Sequence, residues 1–461
     1  MQIIRSTTRL AGLAALILTT TAVAEPTAVD LAQTGDDPAW SITKGLTTDI
    51  GPRMAGTEAE AVARRWAMQR LQAMGFRNVR EEPFDMPVWV RGVEEAWLTS
   101  TLLPQKLAIT ALGNSESTGQ KGIEGDIAYF ESFDALATAS NTSVEGKIVF
   151  IDHDMKPTQD GSGYGYYGRG RFTGPNIAAK KGAIAIVIRS IGTDNHRNPH
   201  TGVTNFEAGV KPIPAGAISN PDADQLVRQW QRPQPVRSDK RPPLKMKLIL
   251  TPQNLGTKKS GNVIAEVTGS DPAASPVIIA CHLDSWDLGT GAIDDAAGCG
   301  IITAAAKHVM SAGQPRRTIR VLWAGAEEVG VFGGKAYFGA HGNEKHAVAL
   351  ESDFGADRVW RVDFKLPDSA KALSDRIAAA LMPFGVVRGK QSANGGADIG
   401  ALVEAGVPAI DLAQDGTRYF DIHHTPDDTL DKIDPAQLRQ NVTVWAATLA
   451  ILANSTNEEL P

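Results

Sequence analysis

An α/β fold, a mostly parallel sheet flanked by helices, is what the sequence predicts for this 461-residue chain. After residue 260, short strand-like runs at 277–281, 319–323, 348–350 and 409–412 alternate with helical stretches near 296–310, 369–382, 397–405 and 435–452. Strands buried on both faces read as continuous apolar runs, and strand–helix alternation is the pattern of a parallel sheet covered on both sides. Each run also ends in acids or histidines, and open α/β sheets build their sites outside the carboxyl ends of their strands.

The first element is a helix over 57–74. Thr57 with Glu60 three residues later forms a capping box, Ala63, Ala67, Leu71 and Met74 make one apolar face, and Gly75 is a natural stop. Residues 84–115 are strand-like with proline breaks. From 116 to 255 the texture changes, with a strand at 147–151, a short helix at 176–181 ended by Gly182, and a strand at 183–188. Between the strands, Gly161-Ser-Gly-Tyr-Gly-Tyr-Tyr-Gly168 is expected to be an exposed, mobile loop, and the Pro- and Arg-rich stretch 231–243 a connector. This region reads as a compact insertion outside the main sheet.

Composition narrows the function classes. The chain has 46 basic and 52 acidic residues, a net charge of −6, and no long basic run, which argues against a nucleic-acid partner. Residues 1–24 have the layout of a signal peptide: Arg5 and Arg9, then Leu10-Ala-Gly-Leu-Ala-Ala-Leu-Ile-Leu18, then Ala22-Val-Ala24 before Glu25. The apolar run is short for a membrane span, and no other segment approaches 18 apolar residues. A secreted or periplasmic protein with no span after cleavage is expected. The two cysteines, Cys281 and Cys299, read as buried thiols, with a bridge left open for an oxidising compartment.

The chemistry concentrates in Cys281-His-Leu-Asp-Ser-Trp-Asp-Leu-Gly-Thr-Gly-Ala-Ile-Asp-Asp-Ala-Ala-Gly298. His282, Asp284 and Asp294 fall in a Gly-rich loop between a strand and a helix. The 319–323 run leads into Ala324-Gly-Ala-Glu-Glu328, and the 348–350 run into Glu351-Ser-Asp353. Past the 409–412 run comes Phe420-Asp-Ile-His-His-Thr-Pro-Asp-Asp-Thr429. Singly, such acids are often helix caps or helix starts favoured by the dipole. Together they would crowd carboxylates on one rim, which calls for neutralisation by divalent cations. Histidines and carboxylates with little sulfur suit zinc in a catalytic site rather than a structural one.

These motifs, in this order, resemble the co-catalytic zinc exopeptidases of the aminopeptidase and glutamate carboxypeptidase family, and in particular its plasma glutamate carboxypeptidase branch. Gly51-Pro-Arg-Met-Ala-Gly56 is similar to that family's N-terminal segment. The resemblance implies a peptidase domain over 25–115 and 256–461 with an inserted protease-associated domain over 116–255. It implies two Zn2+ per chain, with His282 and Asp353 on one ion, Glu328 and His424 on the other, and Asp294 bridging. His424 is preferred to His423 because the family's ligand directly precedes Ser or Thr, here Thr425. Asp284 would orient His282 through its other ring nitrogen, and Glu327 would be the general base. It also implies a non-proline cis peptide at Asp294–Asp295.

The activity implied is hydrolysis of short peptides or dipeptides through a metal-bridging hydroxide, with a dipeptidase or carboxypeptidase favoured over an aminopeptidase of the same family. Asn394-Gly-Gly-Ala-Asp398, Tyr419 and the loop around Tyr164 to Tyr167 are the candidates for specificity. A catalytically lapsed binding protein should lack ligands, and a glutaminyl cyclase relative should lack the intact two-metal set; this sequence keeps all five ligand residues and the base. A homodimer is the expected assembly.

Overall fold

The computed structural model describes residues 37–232 and 243–460. The signal segment 1–24 and most of the 231–243 connector lie outside them. In spatial order, one eight-stranded sheet runs Arg77–Val90, Gln253–Val267, Ile319–Ala324, Val277–His282, Val348–Glu351, Ala409–Gln414, Val359–Lys365 and Val387–Arg388. The four strands from Ile319–Ala324 to Ala409–Gln414 are mutually parallel. Gln253–Val267 and Val359–Lys365 flank them antiparallel. The sheet is therefore mixed with a parallel centre, where the sequence suggested a mostly parallel one. The difference has a local cause: the first seven residues of Gln253–Val267 are exposed and polar in character, so only its buried half carries an apolar signal.

The central strands are covered on both faces. Val277, Ile279 and Cys281 point into the larger core, shared with Ile301, Ala305, Trp445 and Leu449 of the helices Ala297–Ala312 and Pro435–Leu452. Ile278 and Ala280 face the opposite side and pack with Tyr337, Leu402 and Val403. Period-two alternation of two buried faces explains the uninterrupted apolar runs. Each such Ile or Leu, taken from water, contributes about 1.5–3 kcal/mol.

The helix Glu58–Ala73 forms where the sequence placed it. Thr57 Oγ1 accepts from Glu60 N at 3.4 Å, Glu60 reaches back to Gly56 N at 3.2 Å, and Gly75 ends the helix at φ +91°.

A second eight-stranded sheet runs Gln105–Leu107, Glu94–Leu98, Lys245–Leu250, Ile123–Phe130, Ile148–Ile151, Ala185–Arg189, Ala215–Ile218 and Ile109–Ala111. The chain thus enters this sheet at Glu94, not at 116, because Glu94–Leu98 pairs antiparallel with Lys245–Leu250. Alternation within 84–115 marks strands but cannot say which sheet they join. The Gly/Tyr-rich stretch expected to be a loop is the start of a helix, Tyr164–Phe172. Aromatic packing holds it: Tyr164 stacks on Phe420 with ring centroids 4.6 Å apart, and Arg169 lies over both Phe133 and Tyr166. No helix among the described residues is long and apolar enough to cross a membrane.

Candidate active site

The parallel centre brings the carboxyl ends of four strands to one rim. His282 is the last residue of Val277–His282, and Asp353 follows Val348–Glu351 by two. Glu327 and Glu328 follow Ile319–Ala324 after a left-handed Ala326 (φ 59°), and His424, also left-handed (φ 60°), follows the short helix Tyr419–Ile422. Asp294 sits in the Gly-rich loop, joined to Asp295 by a cis peptide bond.

Asp294 is the hub. His282 Nε2 lies 2.8 Å from its Oδ1 and 3.4 Å from Asp353 Oδ1. On the other side, His424 Nε2 lies 3.1 Å from Asp294 Oδ2 and 2.9 Å from Glu328 Oε2. The two oxygens of one carboxylate therefore face two separate His–carboxylate pairs. His423 stacks on His424 with centroids 3.5 Å apart and brings its Nε2 to 3.4 Å from Asp294 Oδ2. Only His424 also meets Glu328.

The supporting contacts are specific. His282 Nδ1 faces the backbone carbonyl of Asp284 at 3.0 Å, while the Asp284 carboxylate stands 3.7 Å from that nitrogen. The carboxylate instead accepts the backbone N–H of Glu327 at 3.0 Å. Asp284 thus reaches the histidine through its carbonyl and the glutamate through its side chain, a division of labour that the residue order alone does not reveal. Asp295 accepts from the N–H groups of His282 and Gly298, both at 3.1 Å. A Cβ on Gly298 would lie 2.1 Å from Ser352 O and 2.2 Å from Asp295 Oδ1, so this close approach requires glycine. Arg53 is buried and donates to the carbonyls of Leu283, Thr290 and Gly291 at 2.6, 2.6 and 2.9 Å. Asp428 accepts from Ala292 N and Ile293 N, each at 2.7 Å. Cys281 and Cys299, read from the sequence as thiols, form a disulfide with Cα atoms 5.1 Å apart, tying the strand before His282 to the helix after the loop. Sequence spacing cannot report that approach.

The electrostatics show a cluster of acids in want of positive charge. Burial, with Asp294 beside it, pushes Glu328 up to about 7, and burial raises Asp353 and, more strongly, Glu327. Burial also acts to raise Asp294, but His282 and His424 outweigh it and hold this carboxyl well below the usual range. Burial opposes charge on His424, yet Glu328 and Asp294 lift it to about 9.

The rim opens into a cleft of about 500 Å³ lined by Asp294, Glu327, Glu328, Asp353, His423 and His424. Of the specificity candidates, Tyr164, Ala397 and Tyr419 line this cleft; Asn394, Gly395 and Gly396 line a neighbouring cavity, and Asp398 is buried. Sequence reasoning missed Arg171 and Lys335, which also line the cleft. Arg171 donates to Thr201 O and Tyr164 Oη and lies over Phe172; Lys335 donates to Gly330 O and lies over Phe332. Neither has a carboxylate partner among the described residues. Only their arrival at the cleft marks them, and no local pattern predicts it.

Residues 262–449 match the model of peptidase family M28. Human carboxypeptidase Q is 33% identical over 90% of this chain and 85% of its own length. The aminopeptidase YwaD of Bacillus subtilis (strain 168) is 25% identical over 87% of this chain and 81% of its own. A crystal structure of a peptidase M28 precursor from Shewanella amazonensis SB2B superposes with a TM-score of 0.86 at 46% identity, covering 93% of this chain and 96% of that one. The fold is shared more distantly with a zinc aminopeptidase from Bacillus subtilis, at a TM-score of 0.63 and 18% identity over 92% of this chain and 95% of that one. With its strand-end motifs, its cleft and a relative of this similarity along nearly all of its length, the chain belongs to peptidase family M28.

Proposed function

We propose that this peptidase is an exported dizinc exopeptidase acting on dipeptides and other short peptides, of the dipeptidase or carboxypeptidase type. The observation that carries the metal reading is Asp294, one carboxylate between two His–carboxylate pairs. His282 and Asp353 would hold one ion, Glu328 and His424 the other, with Asp294 shared. The donor set fits: it holds only imidazole nitrogen and carboxylate oxygen, and the donor atoms of His282, Asp294 and Asp353 all lie within 4.8 Å of one another. Asp294 Oδ2 is buried and makes no well-aligned hydrogen bond, although the Nε2 atoms of His424 and His423 stand 3.1 and 3.4 Å away, so it is an acceptor that a cation would satisfy. Bound there, zinc supplies Lewis acidity to the scissile carbonyl and acidity to the attacking water.

The chain's own groups do the rest. Glu327 lines the cleft and takes the water's proton, then delivers it to the leaving amine. Its backbone is fixed by Asp284. Tyr164, Phe172 and Val203 of the second-sheet unit wall off the cleft and limit the length of peptide it admits. Arg171 and Lys335, cations without acid partners, suit a free C-terminal carboxylate. We assign the second-sheet unit as the protease-associated domain. The Cys281–Cys299 bridge supports export to an oxidising compartment, and a homodimer is the assembly proposed.

One observation favours an aminopeptidase instead. The cavity adjoining Asp353 is lined by Asp160, Glu351, Asp363 and Asp411 against the single cation Arg361, a setting for a substrate amine. Hydrolysis of free, N-blocked and C-amidated dipeptides, with bound zinc measured in parallel, separates these readings. Loss on C-amidation alone means a carboxypeptidase, loss on N-blocking alone an aminopeptidase, and loss on both a dipeptidase. No turnover of any of them by protein holding two zinc ions refutes the exopeptidase reading.

A further inference from the structure

The second-sheet unit does more than wall the cleft. Its segment 193–201 is laid along the loop that carries His423 and His424. Thr193 N donates to Phe420 O at 3.0 Å, and Thr193 Oγ1 to Asp421 Oδ1 at 2.7 Å. His196 Nε2 meets Asp421 O at 2.8 Å, His200 Nδ1 meets His423 O at 2.6 Å, and Thr201 N donates to His424 O at 3.0 Å. Carbonyls at 420, 421, 423 and 424 are thus all held from across the interface.

His200 is the centre of this clasp. It is buried, and both of its ring nitrogens face acceptors: His423 O on one side and Asp194 Oδ2, at 2.6 Å, on the other. The His423 carbonyl can only accept, so Nδ1 donates to it, while Nε2 faces the Asp194 carboxyl. Asp194 is itself fixed by His196 N at 3.0 Å and Asn220 Nδ2 at 3.2 Å. Gly192 makes room for the pair, since a Cβ there would lie 2.3 Å from His200 Nε2 and 2.8 Å from Asp194 Oδ2.

We infer that Asp194 and His200 are positioning residues for one half of the proposed dizinc site: they fix the His423 carbonyl, and through it the left-handed His424 whose Nε2 faces Glu328. The inference rests on the metal reading above. It makes one half-site dependent on the second-sheet unit, while His282 and Asp353, both at strand ends of the first sheet, are held within their own sheet.

The test is zinc binding to the full-length protein, by chelator competition, in wild type and in His200→Asn, His200→Gln, His200→Ala and Gly192→Ala. An Asn amide nitrogen takes the place of Nδ1 and keeps the donor to His423 O; a Gln amide takes the place of Nε2 and loses it. The expected result is near-wild-type affinity at both sites in His200→Asn. In the other three variants one site should weaken by about 10–100-fold while the other is unchanged. Wild-type affinities in His200→Gln and His200→Ala, or equal weakening of both sites, overturn the clasp. Wild-type protein that binds fewer than two zinc ions overturns the metal reading instead. Melting of each metal-free variant identifies general unfolding, which His200→Asn should not share.

Discussion

Asp284 Oδ1 accepts the backbone N–H of Glu327 at 3.0 Å, so a residue beyond the end of one strand fixes a residue beyond the end of its neighbour. The buried Asp284 carboxylate would otherwise have been placed on His282, whose Nδ1 it misses at 3.7 Å. Asp284→Ala removes the acceptor and leaves the N–H of Glu327 unpaired, at about 1–3 kcal/mol. Turnover should fall by about 10–100-fold with little change in KM, because only the geometry of the proton carrier is disturbed. Zinc content should stay at the wild-type value. Loss of zinc in this variant would mean that the carboxylate acts on the histidine after all.

Glu327→Gln keeps the shape of the side chain and deletes its proton chemistry. Glu327 lines the cleft together with Asp294, Glu328 and Asp353, which is where a proton carrier for the reaction has to stand. Turnover should drop by about 10²–10⁴-fold with bound zinc and melting temperature unchanged. Activity within tenfold of wild type would remove Glu327 from the reaction.

Much of this was legible in the chain because the informative signals are local. The run 277–281 is apolar on both faces, so strand identity and burial coincide. His282, Glu328 and Asp353 lie within a few residues of strand ends, so their side of the sheet follows from topology. What was not legible depends on long-range approach. Glu94–Leu98 looks like any strand, and only its pairing with Lys245–Leu250 assigns it to the second sheet. The Gly-rich helix Tyr164–Phe172 has weak intrinsic propensity and is held by partners such as Phe420, far along the sequence. His200, Arg171 and Lys335 carry no motif; His200 and Arg171 reach across from one unit to the His423–His424 loop of the other, and Lys335 is marked only by its place at the cleft.

The Cys281–Cys299 bridge closes a short loop, with a sequence separation of 18, around the residues that carry His282 and Asp294. A loop of this size restricts the unfolded chain by about 3 kcal/mol. The double variant Cys281→Ala/Cys299→Ala should lose about that much in urea denaturation, with a slightly larger m-value because the unfolded chain is freed. A loss below about 1 kcal/mol would mean that the buried neighbours, not the cross-link, hold the strand to the helix.

Arg53 is a second tie on the same loop. Its guanidinium gathers the carbonyls of Leu283, Thr290 and Gly291, all beside the site, so a single side chain satisfies three buried acceptors. Arg53→Ala should destabilise the protein by about 3 kcal/mol or more, since each abandoned acceptor costs about 1–3 kcal/mol. Zinc should stabilise this variant more than it does wild type, because ligation of Asp294 would restrain the slackened loop. An equal gain in melting temperature on adding zinc to both proteins would argue that Arg53 serves the core alone.

Away from the rim, His153 gives a pH dependence of known sign. Burial, aided by Arg189, pulls its imidazolium from 6.5 to about 4, against the opposing effect of the Ser190 carbonyl, which lies 3.1 Å from Nε2. As pH falls through 6.5 the unfolded chain takes up this proton, while the native protein resists until about 4. Stability from this residue is therefore complete above 6.5 and is lost progressively between 6.5 and 4. The full shift corresponds to at most about 3 kcal/mol, and less once solvent reaching the half-buried ring is allowed for. His153→Gln keeps a donor for Ser190 O and cannot titrate. Urea midpoints at pH 7 and pH 5 should fall less between the two conditions in this variant than in wild type; equal falls would show that other groups set the acid limb.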